Sequence, residues 1–238
     1  MPFPVSLILT NDDGFDAPGL QYLAAALEPL LGDGLYIAAP DRCYSGGSQQ
    51  VTMFAPIPVE ERGPRRWAIG GSPADCARLA LTCLAPECTI VISGINQGGN
   101  LGHDIFLSGT VGAAREAALL GATAIAVSHY LRPGIALDWP RAARWTAAVL
   151  QELLQGKQRG CELWNVNLPH HEPGDSPMPP VVECVPCPKP LPVHYTFEQG
   201  AYHYEGRRYH QRACDPGTDV AACFGGSIAV SRLNPTPH

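Results

Sequence analysis

Residues 5–32 read VSLILTNDDGFDAPGLQYLAAALEPLLG, and this stretch decides the fold. Val5–Leu9 is an apolar run broken only by Ser6, the pattern of a buried strand. It ends in the polar turn Thr10-Asn11-Asp12-Asp13-Gly14. Pro18 stands where a helix begins, since its fixed φ suits the first turn and its missing N–H costs nothing there. Leu20, Leu23, Ala24, Leu27, Leu30 and Leu31 then keep helical spacing until Gly32 stops it. Leu35–Ala39 is a second apolar run, closed by Pro40. Strand, helix and strand within 36 residues make a parallel βαβ unit.

Working outward, the same alternation continues. Ala74–Leu84 reads as a helix, Thr89–Ile92 as a strand and Val111–Leu120 as a helix ended by Gly121. Thr123–Ser128 is a strand, Pro140–Leu154 a long helix with apolar residues at 142, 145, 149 and 153, and Leu163–Asn167 a last buried strand. The expectation is an α/β fold: a mostly parallel sheet flanked by helices on both faces, with ligands in the crevice beyond the strand C-termini. After Leu168 the composition changes. Nine prolines fall in residues 169–192, predicting extended, irregular chain. Tyr202, Tyr204 and Tyr209 around Gly206 suggest a β-hairpin, and Gly226–Leu233 a final strand. Residues 1–238 therefore read as a single domain, with an α/β core over 1–168 and a β-rich excursion over 169–238.

Composition excludes several function classes. Charged residues are 16% of the 238, and lysine supplies only two of the 16 basic residues, so the net charge is −6. A basic groove for a nucleic-acid polymer is hard to build from that balance. Small anionic ligands are not excluded, because backbone amides and a metal ion supply positive potential locally. The first ten residues lack a basic signal region, and their apolar run is too short for a membrane span. Nine cysteines, an odd number in a chain of this length, read as reduced thiols in a cytoplasmic protein.

Neither a dinucleotide G-x-G-x-x-G nor a P-loop follows any strand. Gly225-Gly226-Ser227-Ile228-Ala229 leads into a strand rather than out of one and lacks the last glycine of a nucleophile elbow. The turn after the first strand is more informative. Adjacent carboxylates repel each other and must share a proton, separate or bind a cation. Gly14 permits a turn that aims Asp12 and Asp13 at one point, and a hard divalent cation is their natural partner. An Asx-turn with a helix N-cap is the competing reading. Pro40-Asp41-Arg42-Cys43-Tyr44-Ser45-Gly46-Gly47-Ser48 forms a small-residue loop at the same sheet edge. Six glycines fall in residues 93–112, a density that implies close approach of backbone to a ligand. Ser108-Gly109-Thr110 at a helix start offers amides and hydroxyls suited to phosphate, or to simple capping.

Together these segments resemble the SurE family of survival-protein nucleotidases. The matching residues are Leu9–Gly14 with Ala17-Pro18-Gly19; Ala39–Arg42 with Ser45-Gly46-Gly47-Ser48; Gly71–Cys76; Ser93-Gly94-Ile95-Asn96 with Asn100-Leu101-Gly102, Asp104 and Ser108–Val111; and Pro216-Gly217-Thr218-Asp219. The resemblance implies a Rossmann-like core and metal-dependent hydrolysis of nucleoside monophosphates. It implies a 5′-nucleotidase, with 3′-nucleotidase and exopolyphosphatase activity as further reactions, working by metal-activated water. It places one divalent cation, Mg²⁺ or Mn²⁺, on Asp12, Asp13, Ser45 and Asn96. Asn11 joins the two aspartates as a catalytic candidate that orients phosphate or water, and Ser108, Gly109, Thr110 and Asn100 are the phosphate-binding candidates. A homodimer or homotetramer is expected. Three departures stand out: the prolines around 188–192, the Asn234–His238 ending where relatives continue into a helix used for subunit exchange, and Cys43-Tyr44 before Ser45.

Three alternatives remain open on the residues. An aspartyl-phosphate enzyme would place D-x-D after the first strand, whereas this pair is adjacent. A non-catalytic nucleotide sensor would use the same loops. Cys184-Val185-Pro186-Cys187, with His170 and His171 upstream, has the spacing of half a zinc site.

Overall fold

The computed structural model describes residues 6–155, 161–174, 176–205, 210–212 and 214–236. Eleven strands and six α-helices are laid down among them: β1 Leu7–Thr10, α1 Pro18–Leu31, β2 Leu35–Pro40, β3 Val59–Gly63, β4 Arg66–Ile69, α2 Pro73–Leu79, β5 Ile90–Gln97, α3 Asp104–Leu107, α4 Gly109–Leu119, β6 Thr123–His129, α5 Trp139–Leu153, β7 Glu162–Leu168, β8 Val181–Glu183, β9 Tyr195–Glu198, β10 Ala201–Tyr204, α6 Asp219–Phe224 and β11 Ile228–Leu233.

Nine strands form one sheet in the order β3-β4-β2-β1-β5-β6-β7-β11-β8. From β4 to β7 all pairings are parallel, while β3 and β11 run antiparallel to β4 and β7. The fully buried strands of the centre are the continuous apolar runs of the sequence, as a sheet covered on both faces requires. One face buries Leu7, Leu9, Ile90, Ile92, Ile125 and Val127 under Leu20, Leu23 and Leu27 of α1 and Ala142, Trp145 and Val149 of α5. The other buries Ile8, Val91, Ala124 and Ala126 under Cys76 and Ala77 of α2 and Val111, Ala114 and Ala117 of α4.

Chain order makes β1 a turning point. The chain leaves β1 through α1 to β2 on one side, and β5 pairs with β1 on the other. Crevices at such points lie outside the strand C-termini and receive ligands. Asp12 and Asp13 follow β1 there, and Asn96 is close to the end of β5.

Several elements differ from expectation. The strand expected at Thr89–Ile92 continues to Gln97, with a register shift between Ser93 and Asn96, so Asn96 lies on a strand rather than in a loop. The helix expected over 74–84 is α-helical only to Leu79, then one π turn, Ala80–Leu84. Its start is fixed by a capping box in which the Ser72 hydroxyl accepts from the Asp75 N–H and the Asp75 carboxylate from the Ser72 N–H. The hairpin turns at Gln199-Gly200, where both residues have positive φ; Gly206 and Tyr209, on which it was expected, lie outside the described residues, as does Val5. The hairpin β3–β4, strand β8 and the helices α3 and α6 were not expected at all.

Candidate active site

The turn after β1 is closed from inside. Asn11 is fully buried; its Nδ2 donates to the Gly14 carbonyl (2.8 Å) and its Oδ1 accepts from the Gly14 N–H (3.2 Å). Gly14 takes φ +108°, open only to glycine at ordinary cost, and its Cα faces the Arg42 backbone. Two bonds clip the loop after β2 to this turn: Phe15 N–H to the Pro40 carbonyl and Tyr44 N–H to the Asp12 carbonyl, both 2.7 Å. Ser45 follows, exposed, with its Oγ 3.0 Å from Cys43 Sγ.

Asp12 is 4% exposed. Its Oδ1 accepts from the Thr110 hydroxyl (2.6 Å), which ties it to the start of α4. A Cβ on Gly109 would lie 2.9 Å from Asp12 Cβ and Oδ2, so only glycine lets the helix come this close. Asp13 Oδ2 accepts from the Gln97 N–H (3.0 Å), which ties it to the end of β5. Asn96 Nδ2 donates to the Gly98 carbonyl (2.8 Å), so its Oδ1 is the atom available to a cation. On the opposite side, a Cβ on Gly19 would collide with the Ile95 carbonyl oxygen; that glycine lets α1 abut β5.

Burial pushes the Asp12 carboxyl up from 3.8 to about 6, against the Thr110 hydrogen bond and with help from the Asp13 charge. Asp13 is also raised, again by burial first. Neither forms an ion pair with arginine or lysine among the described residues. Two neighbouring carboxyls without a cationic partner among the described residues, Asp12 buried and Asp13 half-buried, fit a divalent cation, with the Ser45 hydroxyl on the loop after β2 and the Asn96 amide oxygen on β5 as candidate neutral donors.

The phosphate candidates have different partners. Ser108 caps α4, its Oγ accepting from the Val111 N–H (3.0 Å), and Gly109 and Thr110 stand with it at the helix start beside Asp12. Asn100 takes part in a buried polar knot on the same sheet edge: its Nδ2 donates (2.7 Å) to Oγ of Ser128, the strand partner of Asn96, and its carbonyl accepts from Asn165 and Asn167. Asn11 has both amide ends on Gly14.

Asp219, 1% exposed, went unassigned in the sequence reading. Its Oδ2 accepts from Gly102 N–H (2.7 Å), and its Oδ1 from Cys187 and Val220 N–H (2.8 Å each). Arg212 bridges Asp104 (2.8 Å) and donates to the Leu101 carbonyl (2.7 Å). Both brace the glycine-rich segment ahead of α4. The motif Pro216–Asp219 was the available signal for the first; nothing marked Arg212. Cys184 and Cys187 lie buried with Leu101, Tyr130 and Val220. No group of three or more His, Cys, Asp or Glu residues fit to hold a metal lies among the described residues.

Comparison with known proteins now bears on this geometry. The family profile described as survival protein SurE matches residues 7–182. A relative from Nostoc sp. is 46% identical over 229 residues, covering 96% of this chain and 99% of its own. The protein named 5′-nucleotidase SurE of Hyphomonas neptunium is 32% identical, covering 96% and 92%. The crystal structure of the SurE protein from Aquifex aeolicus superposes with a TM-score of 0.81 at 28% identity, covering 98% of this chain and 94% of that one. The βαβ order, the aspartate turn at the switch point and these matches agree: the chain belongs to the SurE family.

Proposed function

We propose that this protein is a metal-dependent phosphomonoesterase acting on nucleoside monophosphates, a 5′-nucleotidase, with 3′-nucleotidase and exopolyphosphatase activity as further reactions of the same site. The observation that carries this is the Asp12–Asp13 pair at the switch point, without a cationic partner among the described residues and oriented by Thr110 and Gln97. The names of its relatives support the substrate class. One divalent cation, Mg²⁺ or Mn²⁺, suits two carboxylates, the Ser45 hydroxyl and the Asn96 amide oxygen. When bound, it supplies a Lewis acid for the phosphoryl oxygens.

The chain's own residues do the rest. Thr110 holds Asp12 by its hydroxyl on Oδ1, leaving Oδ2 beside Gly109 at the start of α4. Ser108 Oγ accepts from Val111 N–H, so its proton can donate to a phosphate oxygen. The first amides of α4 lack carbonyl partners within the helix, and the helix N-terminus favours the phosphate's charge. Asn11 sets the turn that aims both aspartates, and Asn100 holds the glycine-rich segment from behind. Residues 1–238 work as one unit in this reading, because Asp219 and Arg212 of the later segment brace that same loop.

No helix among the described residues is long and apolar enough to cross a membrane, and nine free cysteines support a reducing, cytoplasmic setting. Hairpin β9–β10 exposes Tyr195, Phe197, Tyr202 and Tyr204, which supports the expected homodimer or homotetramer. The test of function is phosphate release from nucleoside monophosphates, short polyphosphate and an aryl phosphate with Mn²⁺, Mg²⁺ or EDTA. Metal-dependent release favouring nucleotides is expected. Tight nucleotide binding with no release under either metal would point instead to a sensor.

A further inference from the structure

The ligand edge of the sheet continues past the aspartates. Over the ends of β5, β6 and β7 lies a cavity of about 370 Å³, within the range of roughly 300–1,000 Å³ usual for small-molecule sites. Gln97 forms its near wall, and the Gln97 N–H is the group bonded to Asp13. The cavity therefore opens directly beside the carboxylate pair. Leu131, Ile135 and Leu137 give it an apolar side; Arg132, His170 and His210 give it a polar one.

The polar side has a defined chemistry. His170 Nδ1 accepts from the Arg132 N–H (2.8 Å), so its proton sits on Nε2, 3.3 Å from the Ala136 carbonyl. Burial lowers the His170 pKa, in keeping with an Nδ1 that accepts a hydrogen bond. Arg132 is exposed and makes no ion pair among the described residues. The cavity thus combines an apolar wall with one planar, donor-only cation.

We propose that this cleft receives the nucleoside part of the substrate, the base lying against Leu131, Ile135 and Leu137, and that Arg132 is a specificity-determining residue. The proposal rests on the phosphomonoesterase reading above. A guanidinium stacks on aromatic planes and donates in pairs to neighbouring acceptors, such as O6 and N7 of guanine. A second phosphate in this place would leave the apolar wall unused. A base uses both sides, and the five-donor fork favours guanine over adenine.

The experiment is steady-state phosphate release by the full-length protein with Mn²⁺, on GMP, AMP and phenyl phosphate. Wild type is compared with Arg132→Ala and with the cleft-filling variant Ile135→Trp, and guanosine binding is measured by calorimetry. In both variants the KM for GMP rises at least tenfold with kcat little changed, so the preference for GMP over phenyl phosphate falls tenfold. Guanosine binding weakens in parallel, and Arg132→Ala erases the preference for GMP over AMP. An unchanged preference in Arg132→Ala, or equal losses on GMP and phenyl phosphate in both variants, overturns the assignment. Wild type that releases phosphate from nothing overturns the reading of the aspartate site instead. Guanosine binding then still decides the cleft: binding lost in both variants upholds it, and binding that is absent or unaffected sinks it.

Discussion

Replacing Asp12 by Asn should inactivate the protein and, without metal, make it more stable. Burial raises the Asp12 carboxyl from 3.8 to about 6 in the folded chain. An acid raised in this way favours folding when protonated, so the native state is penalised as pH rises from 3.8 through 6. Displacement by about two pH units, at about 1.4 kcal/mol each, makes the penalty about 3 kcal/mol above pH 7. Asparagine removes the charge and keeps an oxygen for the Thr110 hydroxyl. For a chain of this size 1 kcal/mol moves Tm by about 2–4 °C, so the variant should melt roughly 6–12 °C above wild type. The assay is thermal melting by circular dichroism in EDTA at pH 8 and pH 5. The gap should be full at pH 8 and about halved at pH 5. Mn²⁺ should raise the Tm of wild type and leave the variant unmoved, since binding to the folded state alone stabilises it. Phosphate release by the variant should be abolished. A variant that melts below wild type at pH 8 in EDTA, or a gap indifferent to pH, would refute the argument that Asp12 is a strained charge awaiting a cation.

Three other substitutions test the supports of the site. Thr110→Val removes the 2.6 Å bond to Asp12 and lets its carboxyl rise further. Mn²⁺ affinity by calorimetry at pH 7 should fall on the order of tenfold and recover toward pH 8.5, as the proton stops competing. Gly109→Ala puts a methyl group 2.9 Å from Asp12 Cβ and Oδ2; kcat should drop on the order of 100-fold and Tm should fall by several degrees, as overpacking costs about 1–3 kcal/mol. Asp219→Ala strips the acceptor from three buried N–H groups; urea unfolding should show a loss of roughly 3 kcal/mol or more.

Much of this architecture is legible in the sequence because its signals are local. A continuous apolar run, a helix-starting proline and leucines at helical spacing define β1, α1 and β2 without reference to anything distant. Hairpin β3–β4 gave no such signal. Its outer strand, Val59–Gly63, carries Glu60, Glu61 and Arg62 and is exposed; charge of that kind protects a sheet edge and hides it from hydrophobic periodicity. Ser93-Gly94-Ile95-Asn96 reads as a glycine-rich loop because glycine weakens strands. Yet the strand runs on with a register shift, because Gly94 packs where a Cβ would strike the Val127 carbonyl. In the site, like-charge repulsion made Asp12 and Asp13 conspicuous. Asn11 closes on Gly14, three residues on, as the Asx-turn reading allows; the partners of Asn100 were invisible, since they come from strands far along the chain.

The bond from Gly102 to Asp219 spans 117 residues. Contacts of such sequence separation carry a loop-closure cost and form late. At a synthesis rate of about 5–20 residues per second, the aspartate turn leaves the ribosome well before the carboxylate that braces the loop facing it. The loop facing the aspartate turn is therefore braced only once Asp219 has been made. The brace thus ties the glycine-rich segment of the crevice to chain made more than a hundred residues after it.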